Sequence, residues 1–133
     1  MRARLAFLSF GSVMVVQQGA EPATDSEWRA FMADLGPKDL SQLRVLILTT
    51  GGGPTADQRV ELKHFMAGRS VRTAVVSDSI KMRFIIATIA LINREHHGFN
   101  NRELSKAYDF LALSPSEPTR TASVIKQLGE RLV

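Results

Sequence analysis

The sequence predicts an α/β domain: a mixed sheet of about four to five strands, with an N-terminal antiparallel hairpin and helices packed on it. Three observations carry that prediction. Apolar, β-branched runs of six or seven residues recur along the chain. Segments with apolar residues at helical spacing separate them. The length, 133 residues, suits one domain rather than two. Strands that alternate with helices pair in parallel through right-handed crossovers once the opening hairpin is complete.

Leu5–Phe10 and Val13–Gln18 flank Gly11-Ser12 and read as two strands joined by a two-residue turn. Arg2 and Arg4 ahead of Leu5–Leu8 also give Met1–Val16 the look of a leader peptide, but Ser9, Gly11 and Ser12 break its apolar part, and the strand reading is preferred. After a loop over Gly19–Ala23, Thr24-Asp25-Ser26-Glu27 has capping-box spacing. Trp28, Phe31, Met32 and Leu35 then form one helix face, a core stripe rather than a base-stacking platform, and Gly36-Pro37 stops the helix.

Arg44–Thr50 is a strand of continuous apolar type, as expected in a sheet covered on both sides. Gly51-Gly52-Gly53-Pro54 follows. Thr55-Ala56-Asp57-Gln58 opens a second helix with another capping box, Val60, Leu62, Phe65 and Met66 give it apolar contacts, and Gly68 ends it. Val71–Val76 is the next strand. Ser77-Asp78-Ser79 starts a third helix that runs to about Asn93, apolar on nearly every face and therefore expected to be the most buried. Gly98-Phe99 reads as a short edge strand. Asn100 or Asn101 caps a fourth helix, with Leu104, Ala107, Tyr108 and Leu111 inward. After a Ser114–Pro118 link, residues 119–132 form an extra C-terminal helix, with Val124, Ile125, Leu128 and Leu132 inward.

Hydrophobic residues make up 44% and charged residues 23%, which excludes a disordered or fibrous chain. Cysteine is absent, so a disulfide framework, a thiolate metal site and a cysteine nucleophile are excluded. The net charge of +4 arises wholly in residues 51–133, where twelve basic side chains face eight acidic ones. They are scattered rather than clustered, so no nucleic-acid partner is expected. The apolar run Phe84–Ile92 is far shorter than the roughly 20 residues a bilayer span needs, so no transmembrane segment is expected.

Two loops carry the candidate site. Thr49-Thr50-Gly51-Gly52-Gly53-Pro54-Thr55 joins the C-terminal end of a strand to a helix N-terminus, where open α/β sheets bind ligands. Its glycines allow positive φ, and its N–H groups and the helix dipole would favour an anion. It lacks the lysine of a phosphate-binding P-loop and the Gly-x-Gly-x-x-Gly spacing of a dinucleotide loop. A tight turn with a capping threonine is the plainer reading. Ser77-Asp78-Ser79 stands at the equivalent end of the next strand, as helix cap or as the opposite wall of one crevice. Glu95-His96-His97 lacks the i, i+4 spacing of a helical zinc site, and no nucleophile elbow supports a triad of Ser77, His64 and Asp78. No metal, no cofactor and no catalytic residue is expected.

The hairpin, the Thr24–Trp28 helix start, Arg44–Thr50 with its glycine loop and Asp57-Gln58-Arg59, and Ala74–Ser79 together resemble bacterial SpoIIAA-like domains of the STAS type, named for sulphate transporters and anti-sigma-factor antagonists. The resemblance covers roughly residues 4–112. It implies a cytoplasmic, non-enzymatic regulatory or protein-interaction module. In that family a serine in a strand-to-helix loop is phosphorylated by a partner kinase, and the added charge breaks a complex with an anti-sigma-like regulator. Here the loop is Thr49–Thr55, and Thr50-Gly51-Gly52-Gly53 replaces the family's Asp-Ser pair, leaving Thr50 and Thr55 as phosphate acceptors. Ser77-Asp78-Ser79 has the family's residue types one strand later.

Two other classes stay open: a small-ligand domain taking a nucleotide or lipid-like molecule between the two loops, and an uncharacterised α/β enzyme. A homodimer is a further candidate, because the nearly all-apolar helix 80–92 leaves little polar surface and one face would then need a partner as well as the sheet; simple burial against the sheet is the preferred reading.

Overall fold

The computed structural model describes residues 3–132. It is an α/β fold with a five-stranded mixed sheet in the order β1-β2-β3-β4-β5. The strands are β1 (Leu5–Phe10), β2 (Val13–Gln18), β3 (Arg44–Thr49), β4 (Arg72–Val76) and β5 (His96–Phe99). β1 and β2 are antiparallel, and every later neighbour is parallel. The helices are α1 (Asp25–Leu35), α2 (Ala56–Met66), α3 (Ile80–Ala90), α4 (Leu104–Phe110) and α5 (Glu117–Gly129).

The expected local signals appear as hydrogen bonds. Phe10 pairs with Val13 across a two-residue turn, and Gly11 supplies the positive φ (53°) that its first position needs. The Thr24 and Thr55 hydroxyls accept the N–H groups of Glu27 and Gln58, and the Glu27 and Gln58 side chains accept the cap N–H groups in return.

Strand alternation divides the core. Met14, Val16, Val45 and Ile47 pack against α1 and α2 through Trp28, Phe31, Leu62 and Met66. Ala6, Val13 and Val15 meet Val124 and Leu128 of α5 on the other face, and Leu46, Ala74 and Val76 meet Ala107 and Leu111 of α4. The layers are therefore α1–α3, the sheet, and α4–α5. Among the described residues no helix is long and apolar enough to cross a membrane.

Several boundaries differ from expectation. α3 stops at Ala90 rather than near Asn93, and β5 begins at His96 rather than Gly98. Asn100 caps a 3-10 turn, Asn101–Glu103, ahead of α4. The last helix begins at Glu117, because Pro118 is tolerated in a first turn. Ala67, not Gly68, is the left-handed C-cap of α2 (φ 48°).

The larger correction concerns α3. Only Met82 and Ile89 of this helix are buried. Ile80 is 71% exposed, Phe84 74% and the following Leu91 88%. The reason is placement: α3 packs over β5, an edge strand, so its outer side has no further strand or helix to meet.

Arg44 ties the layers together. Its guanidinium donates to both carboxylate oxygens of Glu117 (3.0 and 2.9 Å), to Ser12 Oγ (2.6 Å) and to the Ala112 carbonyl (2.9 Å). The Arg44 hydrogen bonds hold the Glu117 carboxyl below its ordinary range. Both side chains are mostly buried, so removing one partner strands the other. Arg44→Met is expected to lower stability by about 2 kcal/mol, read from urea unfolding at pH 7.

Candidate functional site

The site lies at the carboxyl ends of β3 and β4. Thr49 is buried and organises the glycine loop: its hydroxyl donates to the Gly52 carbonyl (2.6 Å) and accepts the Gly51 N–H (3.1 Å). The Thr50 N–H donates to the Gln18 carbonyl (3.2 Å), and the Gly52 N–H to the Gly19 carbonyl (2.8 Å). The loop N–H groups expected to face an anion are thus engaged within the protein for Thr50, Gly51 and Gly52.

Each glycine has a steric reason. At Gly51 the reason is the backbone, whose φ of 152° strains any side chain; an added Cβ would only make ordinary contact with Ser79 Oγ at 3.6 Å. A Cβ on Gly52 would lie 2.6 Å from the Gly19 carbonyl oxygen and closer still to that of Glu21. A Cβ on Gly53 would press on Ile85 (3.2 Å) and the Met82 sulfur (3.4 Å).

Because β3 and β4 are neighbours, the two loops meet as expected. Thr49, Thr50, Asp78 and Ser79 line a crevice of about 310 Å³, joined by Gln17, Gln18 and Asn101 and by the apolar Leu48, Val76 and Leu132. Ser77 does not enter it; it lines the neighbouring groove, and its hydroxyl accepts the Ser79 N–H (3.2 Å). Ser79 occupies the α3 N-cap position with no side-chain capping bond. Asp78 instead latches Asn101, accepting its backbone N–H (2.9 Å) and its Nδ2 (3.0 Å). Thr50 is exposed at the rim, whereas the Thr55 hydroxyl is engaged in capping α2.

Gly52, Gly53 and Pro54 border a second space, an apolar cavity of about 100 Å³ between the sheet and α1–α3. Val45, Ile47, Val75, Trp28, Met82 and Ile89 are among its walls. Trp28 is 7% exposed, a core residue as expected, with its Nε1 on Glu61 (3.0 Å). Leaving this volume unfilled costs about 2 kcal/mol at the usual ~24 cal/mol per Å³.

The polar end of the cavity was not visible in the sequence. Asn93 bonds Val71 through N–H and carbonyl (3.0 and 2.8 Å) and touches Thr73 Oγ1 (3.3 Å), which itself donates to the Val71 carbonyl (3.0 Å). His96 is 7% exposed and its Nε2 has no hydrogen-bond partner. Burial, with a smaller contribution from His97, lowers its pKa to about 4, so the ring is neutral at pH 7. His97, one residue on, lies against Phe110 on the opposite face, the rings tilted by 44° with centroids 4.6 Å apart. Strand alternation therefore parts the two histidines, and among the described residues no group of acidic or histidine side chains is arranged to hold a metal ion. Ser77, Asp78 and His64 likewise form no hydrogen-bonded triad; His64 sits exposed on the last turn of α2.

No family model, curated protein or solved structure matches this chain.

Gly52→Ala is expected to destabilise by ~3 kcal/mol, because the clash is with backbone that cannot rotate away; thermal melts of the variant test it. A second expectation concerns pH. Above pH 6.5 His96 is neutral in both folded and unfolded chains. As the pH falls toward 4, the unfolded chain takes up the proton first, so stability drops by about 3 kcal/mol across that window. His96→Leu should remove this component, seen as a flatter stability profile between pH 6.5 and 4.

Proposed function

We propose that this domain is a non-enzymatic regulatory module that binds a protein partner, as its resemblance to STAS-type domains implies. One observation supports this above the others. The rim of the crevice, at Thr50 and Ser79, continues into the exposed apolar stripe begun by Ile80 and Phe84. A crevice of mixed polar and apolar lining beside an apolar ridge suits a folded partner, which can offer a hydrogen-bonding group to one and a pocket to the other.

Charge specifies the partner further. Lys81, Arg83 and Arg94 flank the stripe, and no acidic residue lies between Asp78 and Glu95. Lys81 and Arg83 also stand in the first turns of α3, where the helix dipole disfavours cations. An acidic partner surface would relieve both features. Thr50 is the better phosphate acceptor of the two threonines, since it is exposed at the rim and makes no helix cap. A phosphate there would place close to two negative charges against an acidic partner and oppose the complex.

The test is affinity capture from the source cell with the wild-type chain and Phe84→Glu, Thr50→Glu and Val60→Glu, followed by amide hydrogen exchange on any complex. We expect one acidic protein, protected contacts at Thr50 and Ser79–Phe84, and affinity reduced about thirtyfold by Phe84→Glu and Thr50→Glu but not by Val60→Glu. Equal capture by all four proteins overturns the proposal. So does flotation with anionic vesicles that Phe84→Glu abolishes, or a wild-type dimer in light scattering that Phe84→Glu dissociates, in the absence of such a partner.

A further inference from the structure

The sheet ends at β1, at the opposite side from β5 and α3, and an inference about that edge goes beyond the partner-binding proposal and stands without it. Phe10 and Val13 close the hairpin. The pairs Phe10–Val13, Leu8–Val15 and Ala6–Gln17 therefore exchange backbone hydrogen bonds, and the Gly19 N–H on the Arg4 carbonyl (3.0 Å) continues the series. Leu5, Phe7 and Ser9 turn their N–H and C=O groups away from β2. The N-terminal end of this row is occupied: the Ala3 N–H donates to the Arg131 carbonyl (2.8 Å) and the Leu5 N–H to Glu27 Oε2 (3.5 Å). Among the described residues nothing pairs with the outward groups of Phe7 and Ser9.

Sheet edges in soluble proteins are guarded by shortness, charge, proline, a bulge or a covering segment. β5 is short, at four residues. β1 has six, its register with β2 is unbroken, and Leu5–Phe10 contains no charged residue and no proline. Phe7, Leu8 and Ser9 remain partly exposed. A row of outward N–H and C=O groups is matched along its length by another strand. Leu5–Phe10 is itself such a strand, and charge favours a second copy of it. Arg4 is ion-paired with Glu21, and Lys38 with the Asp34 that accepts the Ser9 hydroxyl. Glu27 stands at the Leu5 end and Arg120 over the Phe10 ring (4.7 Å) at the other, so antiparallel pairing sets opposite charges toward each other.

We propose that β1 is a self-association edge, on which a second copy of this chain pairs its own β1 antiparallel about a two-fold axis at Leu8. Phe7 of each copy exchanges both hydrogen bonds with Ser9 of the other. The two Leu8 residues meet on the axis as a non-hydrogen-bonded pair, with Cα atoms about 4.5 Å apart. This register uses the open groups and stops short of Ala3, which Leu132 already bridges.

The experiment is sedimentation equilibrium of the full chain up to about 1 mM, with amide hydrogen exchange at low and high concentration. A dimer with Kd on the order of 100 µM is expected, since one strand pair makes a small interface. The Phe7 and Ser9 amides should gain protection as it forms. Ser9→Pro removes one edge N–H and Leu8→Lys sets like charges on the axis. Each should weaken the dimer about tenfold or more, with thermal melts showing that the variant is folded. Phe84→Glu should leave the dimer unchanged, which separates this edge from the outer face of α3. The chain has no cysteine, so Leu8→Cys should cross-link as a symmetric disulfide on mild oxidation, far faster than Val60→Cys. A wild-type chain that stays monomeric at about 1 mM overturns the proposal. So does a dimer whose Phe7 and Ser9 amides remain unprotected, a result that needs no variant, or one that Phe84→Glu dissociates.

Discussion

The Thr49 hydroxyl is the contact on which the site depends. One buried oxygen at the end of β3 fixes two points of a glycine loop, donating to the Gly52 carbonyl and accepting the Gly51 N–H. That pins the loop beneath the Gly19–Glu21 backbone, where only glycine fits at position 52. This one clamp turns Thr50 outward to the rim, sets Gly53 against α3 and delivers Thr55 to start α2. A buried hydroxyl with both lone pair and proton engaged is well suited to this, because leaving either partner unmatched would cost about 1–3 kcal/mol.

α3 is the element with two environments. Its inner side closes the apolar cavity with Met82 and Ile89, and its outer side presents Ile80 and Phe84. It is joined to the rest by loops rather than by a capping side chain, and the Asp78–Asn101 latch holds its N-terminal approach.

Much of the fold is legible in the sequence because it is encoded locally. Gly11-Ser12 between two apolar runs specifies the hairpin, and Thr24/Glu27 and Thr55/Gln58 specify two helix starts to the residue. The rest depends on neighbours. The apolar residues of α3 look buried by composition, but its position over an edge strand decides otherwise. The glycine loop looks able to cradle an anion, but the Gln18 and Gly19 carbonyls take the Thr50 and Gly52 N–H groups and the Thr49 hydroxyl takes that of Gly51, and the proximity of the two carbonyls is a property of the β2–β3 pairing. Thr49, Thr50, Asp78 and Ser79 share one crevice because adjacent parallel strands end side by side, whereas strand-to-helix geometry turns Ser77 away from it. In the sequence His96 draws attention only within Glu95-His96-His97, a metal motif that its spacing rejects. Recognising His96–Phe99 as a strand sends it and His97 to opposite faces at once.

The strand order has a consequence for how the chain acquires its structure. Val13 pairs with Arg44, Arg44 with Arg72, and Thr73 with His96, so the parallel pairings close loops of only 31, 28 and 23 residues. Pairings of such short reach favour stepwise growth of the sheet from the hairpin outward, in the order in which a ribosome releases it. One element breaks that rhythm. α5 packs back on β1 and β2, and the Gln17 side chain must find the Ile125 carbonyl 108 residues away. Until α5 docks, Ala6, Val13 and Val15 face water, so an apolar patch on one face of the sheet stays uncovered through the earlier pairings.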